Sequence, residues 1–165
     1  MDTSGFSKAA ATQITAGSLL VFMLLQPLFG AASDKIGRRP MLIAFGVLGV
    51  ACTWPILSTL SRLHDYAAAF ALVMAGMAMV ALYSSVNAIV KAELFPTEVR
   101  ALGVALPYSI ANALFGGSAE YVALWFKSQG HATWFYTYVT VVVGVSLSVY
   151  AFMRDTRKHS RIVDG

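Results

Sequence analysis

Charged residues are absent from positions 9–33, 40–61, 66–90 and 132–153, and a fifth stretch, 101–126, contains only Glu120. Apolar side chains fall on nearly every face of a helix drawn through these runs, and no period-two alternation is sustained. About 20 apolar residues, rising roughly 1.5 Å each, cross a hydrocarbon core of about 30 Å. Each run reaches that length. The chain is therefore expected to be an all-α membrane protein with five transmembrane helices over about 9–31, 40–61, 66–90, 101–126 and 132–153. Residues 1–153 form the transmembrane region, and 154–165 form a cytoplasmic C-terminal tail.

Composition narrows the classes further. Of 165 residues, 58% are hydrophobic and 12% charged, about half the charge of an ordinary soluble domain, which is roughly a quarter charged. A soluble α/β enzyme needs polar helix faces, a β-barrel needs dyad alternation, and disorder needs low hydrophobicity. None of these is present. The single cysteine, Cys52, excludes an internal disulfide and a cysteine-rich metal site.

Lysines and arginines divide unevenly between alternate loops. One side holds Lys35, Arg38, Arg39, Lys91, Arg100, Arg154, Arg157, Lys158 and Arg161; the other holds Lys8, Arg62 and Lys127. The positive-inside bias puts the first side in the cytoplasm and the N-terminus outside. Trp54, Trp125 and Trp134 fall toward the outer ends of their helices, as an interfacial belt does. The first run is too long for a signal peptide, and its positive charge follows rather than precedes it. It reads as an internal helix entered from outside, with further helices expected upstream; a small five-span protein is the alternative.

Two compact loops carry most of the chemistry. The first, 30–40, holds Gly30, Asp34, Lys35, Gly37, Arg38, Arg39 and Pro40. Its turn-permissive glycine and helix-starting proline predict a tight hairpin with helices one and two as antiparallel neighbours. Positive-inside anchoring alone also accounts for its bases. In the second, 91–100, Pro96 disfavours helix at Phe95, and Thr97 is placed to cap the next helix with Glu98 in its first turn. The two bases and two acids of this loop cancel, which anchoring does not require. Ion pairs with the Lys35, Arg38 and Arg39 cluster explain them better. At a surface such a pair contributes under about 1 kcal/mol, which suits a switchable gate.

Both loops resemble the hairpin motifs of the major facilitator superfamily. The segments SDKIGRR, KAELFPTEVRALGV and NALFGGSAEYVAL are similar to the C-terminal part of the alpha-ketoglutarate permease group, in the metabolite:H+ symporter branch. The resemblance covers essentially the whole chain. It implies a partial C-terminal half of a twelve-helix fold, helices eight to twelve, in a bacterial inner membrane. It implies proton-coupled symport of a small organic acid by alternating access, best matched by alpha-ketoglutarate, with shikimate, citrate and proline or betaine carriers sharing much of the pattern. The proton is the coupling ion and no other cofactor is implied. The partners implied are the lipid bilayer, the N-terminal transporter half and the substrate, with no nucleic acid. Residue by residue, Gly30 allows close helix packing and Asp34 faces a helix of the other half. Arg38 or Arg39 pairs with the acids near Glu93, and Arg100 completes the cytoplasmic motif. With its other half absent, the chain alone is expected to give no net uptake.

Polar residues inside the spans share faces. Tyr83, Ser84 and Asn87 stand at helical spacing in the third run, and Tyr108, Ser109 and Asn112 repeat it in the fourth; Gln26 beside Pro27 is a further polar position. Gln26, Tyr83, Ser84, Asn87, Tyr108 and Asn112 are substrate-pathway candidates, and interhelical hydrogen bonding is the competing role. Pro107 removes a donor and crowds the carbonyl of Gly103, which makes Gly103 and Pro107 a candidate hinge; plain tolerance of proline in membrane helices is the alternative. No charged residue or histidine lies mid-span, and His64, His131 and His159 fall in loops or the tail. A membrane enzyme, which needs a nucleophile and base or metal ligands in the bilayer, is disfavoured. A non-transporting subunit or relic is the remaining rival.

Overall fold

The computed structural model describes residues 8–156; Asp2, Arg157, Lys158, His159, Arg161 and the Lys8 side chain lie outside the described residues. The helices are α1 (Lys8–Ile36), α2 (Arg38–Leu60), α3 (Tyr66–Leu94), α4 (Arg100–Ala111), α5 (Gly117–Ser128) and α6 (Ala132–Phe152), with a π-helical turn, Asn112–Gly116, joining α4 to α5. Four of them, α1 from Ala9, α2, α3 and α6, are each long and apolar enough to cross a membrane. The fifth run is instead divided into α4, the π turn and α5 in succession, and neither of its two helices is by itself long enough to be counted with the four.

Local sequence explains the breaks. Gly37 alone separates α1 from α2, at φ 111° and ψ 160°, a region essentially reserved for glycine. The Asp65 carboxylate accepts from the Ala68 amide at 2.8 Å and starts α3. Phe95, held extended ahead of Pro96, ends it. Thr97 does not cap α4: its hydroxyl turns to Glu98, and Val99 is the residue that precedes the helix. Gly130, at φ 75°, closes the turn between α5 and α6.

Packing departs from a simple hairpin. α1 lies along α3, while α2 lies along α6 and α3, so α1 and α2 meet only lightly beyond their shared corner. The small buried core of Met41, Leu42, Val86 and Val90 joins α2 to α3, with Phe29, Tyr83 and Tyr150 packed around it. On α2, a Cβ at Gly46 would fall 2.7 Å from a Leu147 methyl, and one at Gly49 2.8 Å from Val143, so both glycines let α6 approach. No neighbouring element among the described residues approaches Gly30: apart from its own helix, nothing lies within 4 Å of a Cβ built there.

Outward faces stay apolar. Leu20, Leu24 and Leu28 form an exposed stripe on α1. Apolar surface on this scale has no place in water and suits hydrocarbon. At the α5–α6 turn, Trp125, Phe126, His131 and Trp134 gather, with His131 stacked on Trp134 at 5.3 Å, as aromatic side chains do at a membrane–water boundary.

Candidate functional site

The Gly37 corner gathers charged side chains from four parts of the chain. Arg38, at the start of α2, reaches Asp34 Oδ1 at 2.6 Å, Ser33 Oγ at 3.2 Å and Glu93 Oε1 at 3.6 Å. Glu93, near the end of α3, accepts on its other oxygen from the Thr156 hydroxyl at 2.5 Å. Asp155 accepts from the Arg38 amide at 3.2 Å and so occupies the N-terminus of α2, where a carboxylate is favoured. The Asp155 carboxylate also sits where a Gly37 side chain would begin. The segment after α6 is thereby tied to α2 and α3.

Burial changes the energetics of this cluster. The side chains of Arg38 and Glu93 are 7% and 6% exposed, whereas a surface pair is what the loop charges alone suggest. A buried pair is costly to break, because each partner leaves the other charged in a poorly solvated place. Asp34, 65% exposed, is the outer member. Arg39 does not join the acids: it donates to the carbonyls of Tyr150 at 3.4 Å and Ala151 at 2.5 Å, at the C-terminal end of α6 where a cation is favoured. Arg100 likewise turns to carbonyls, those of Ala92 and Phe95 at 3.0 and 3.2 Å, and fastens the end of α3 to the start of α4.

A second feature lies between α3, α4 and α6. A cavity of about 850 Å³ is lined by Tyr83, Lys91, Pro107, Tyr108, Asn112 and Ser146 among others. Three of the pathway candidates, Tyr83, Tyr108 and Asn112, therefore share one space. Gln26 and Ser84 do not face it: Gln26 Nε2 donates to Ser84 Oγ at 2.7 Å, linking α1 to α3. Asn87 is half-buried and lines no part of this cavity.

The model of the Major Facilitator Superfamily matches residues 1–164. The chain belongs to that superfamily. Alpha-ketoglutarate permease of Escherichia coli (strain K12) is 48% identical over 162 residues, covering 98% of this chain and 38% of the permease. Citrate-proton symporter of Klebsiella pneumoniae is 33% identical over 119 residues, 68% of this chain and 27% of the symporter. Ectoine/proline transporter of Corynebacterium glutamicum is 33% identical over 122 residues, 72% of this chain and 23% of the transporter. The chain thus spans well under half the length of these curated relatives. No solved structure matches it.

Within this superfamily member the candidate hinge is packed closely at one point. A Cβ at Gly103 would fall 2.6 Å from the Phe95 ring, so only glycine lets the ring lie on α4 there. The π turn begins five residues beyond Pro107, and Gly116 ends it over the Asn112 side chain. Ser33, Asp155, Thr156 and Lys91 were not singled out as site residues by the charge pattern. Asp155 carried a signal, as an acid set alone among the bases of 154–158. Lys91 carried none for this place, since its position in sequence counts toward sidedness and toward the charge balance of the second loop.

Proposed function

We propose that this chain is the C-terminal membrane portion of a secondary transporter that carries a small organic acid, 2-oxoglutarate first, together with protons. Its 48% identity to alpha-ketoglutarate permease over 98% of its length carries the reading. The proposed setting is a bacterial inner membrane, with the N-terminal end of this chain outside and its C-terminal end in the cytoplasm, following the distribution of lysine and arginine. Transport proceeds by rocking of two halves around a midplane site, the other half being a partner of these helices. Tyr83, Tyr108 and Asn112 line the pathway, Gly103 and Pro107 provide its hinge, and the Arg38–Glu93 cluster holds the cytoplasmic loops in one arrangement.

The test is uptake of radiolabelled 2-oxoglutarate by the native gene product in cells lacking their own carrier. Uptake abolished by a protonophore, and competed by unlabelled 2-oxoglutarate more strongly than by citrate or proline, is the expected result. Stronger competition by citrate or proline reassigns the substrate. Absence of uptake for all three favours the non-transporting subunit or relic.

A further inference from the structure

We infer that Lys91, on the last turn of α3, is an anion-binding residue whose ammonium takes one carboxylate of the transported acid. This deepens the organic-acid reading above and rests on it. Lys91 Nζ stands 4.0 Å from the centroid of the Tyr108 ring, and both residues line the cavity between α3, α4 and α6. Lys91 is half-buried. Lys91 belongs to neither the Arg38–Asp34 nor the Arg38–Glu93 pair, and among the described residues no acidic one lines the cavity. Nearby Glu93 is already engaged by Arg38 and Thr156.

An aromatic face offsets only part of the cost of removing an ammonium from water. The cavity therefore holds one positive charge without an ionic partner in its lining. Of its other polar members, Ser146 donates to the Val142 carbonyl, while Tyr83, Tyr108 and Asn112 carry phenol and amide donors, the groups a carboxylate accepts from. Val141 and Val145 supply an aliphatic wall suited to methylene groups. A cationic ligand is repelled by Lys91, and a neutral one leaves its charge unmet. A single ammonium engages one carboxylate, so a dicarboxylate draws its second base from elsewhere. Tyr108 acts here as the platform that keeps the lysine turned into the cavity.

The test compares Lys91→Gln and Lys91→Arg in the native gene product by initial rates of 2-oxoglutarate uptake, with membrane levels measured by immunoblot. Loss of one charged contact is expected to raise KM about tenfold in K91Q at unchanged level and little changed maximal rate, with K91R much closer to the wild type. A purely structural role changes the amount of protein and leaves KM alone. KM in K91Q within about twofold of the wild type overturns the inference, as does an equal loss in K91R. Should K91Q fail to accumulate, Lys91→Cys in a background cleared of every other cysteine of the native product, Cys52→Ser included, decides it: aminoethylation, which rebuilds the cation, is expected to restore uptake, and methylthiolation is not. Equal uptake after both treatments overturns the proposal. If the wild type takes up no organic acid, the organic-acid reading fails and this inference fails with it, whereas an active wild type with an unaffected K91Q removes the inference alone.

Discussion

The Thr156 hydroxyl donates to Glu93 Oε2 at 2.5 Å across 63 residues of sequence, joining the segment after α6 to the end of α3. Glu93 is thereby divided between two partners, with Arg38 on one oxygen and Thr156 on the other. Because Asp155 simultaneously holds the α2 N-terminus, the ends of α2, α3 and α6 are cross-linked at one point. All of these groups belong to the same helical unit. They hold that unit together as a body, with Asp34, 65% exposed and paired with Arg38, at its edge.

Breaking the buried pair on one side only is expected to be severe. Arg38→Met leaves Glu93 charged and largely desolvated, a change of the kind that costs about 3–5 kcal/mol. The combined Arg38→Met, Glu93→Leu variant removes both charges and is expected to recover much of that loss. Thermal unfolding of the detergent-solubilised protein, read for both single variants and the double, checks this; a double variant as unstable as the sum of the singles contradicts it.

Gly37 is expected to tolerate no side chain. At φ 111° any other residue is strained, at a cost of about 1–3 kcal/mol, and its Cβ would displace the Asp155 carboxylate from the α2 N-terminus. Gly37→Ala should therefore lower the unfolding temperature more than Asp155→Asn does, since the latter keeps the side-chain shape and loses only charge. Equal effects of the two substitutions would show that backbone strain contributes nothing.

The α2–α6 contact is expected to depend on two small residues. Gly46 and Gly49 each lie where a Cβ would press on α6, and overpacking of this kind costs about 1–3 kcal/mol. Gly46→Val and Gly49→Val should reduce resistance to thermal unfolding, while Gly76→Val, at a glycine with open space around it, should not. Comparable losses at all three positions would point to a general intolerance of valine instead.

Much of this was legible in the runs of uncharged residues. Length and hydropathy are properties of each segment by itself, so the helices and the break at Phe95 and Pro96 follow from local physics. Pairing of the first loop's bases with the acids of the second also followed, because a neutral loop rich in charge has to place those charges somewhere, but not that Arg38 and not Arg39 would be the partner. What sequence spacing withheld was everything set by the crossing of helices. Apolar all-round helices carry no stripe to say which face meets which neighbour, so the contact of α2 with α6 and the light contact of α1 with α2 were hidden. The same gap concealed the burial of the Arg38–Glu93 pair, the return of Asp155 and Thr156, and the turning of Lys91 into a cavity rather than toward water.

Gln26 and Ser84 separate packing from transport among the polar residues of the spans. Gln26 Nε2 donates to Ser84 Oγ at 2.7 Å, and that hydroxyl in turn donates to the Val80 carbonyl at 3.1 Å, so both side chains are occupied between α1 and α3. Neither lines the cavity shared by Tyr83, Tyr108 and Asn112. Interhelical hydrogen bonds in membranes couple by about 0.6 kcal/mol on average. Gln26→Ala and Ser84→Ala are accordingly expected to show a small non-additive coupling of that order in unfolding measurements while leaving the KM for uptake unchanged. Asn112→Ala, by contrast, is expected to raise KM with little effect on stability. A rise in KM on substituting Ser84, or none on substituting Asn112, would reverse these assignments and move the pathway to the α1–α3 side.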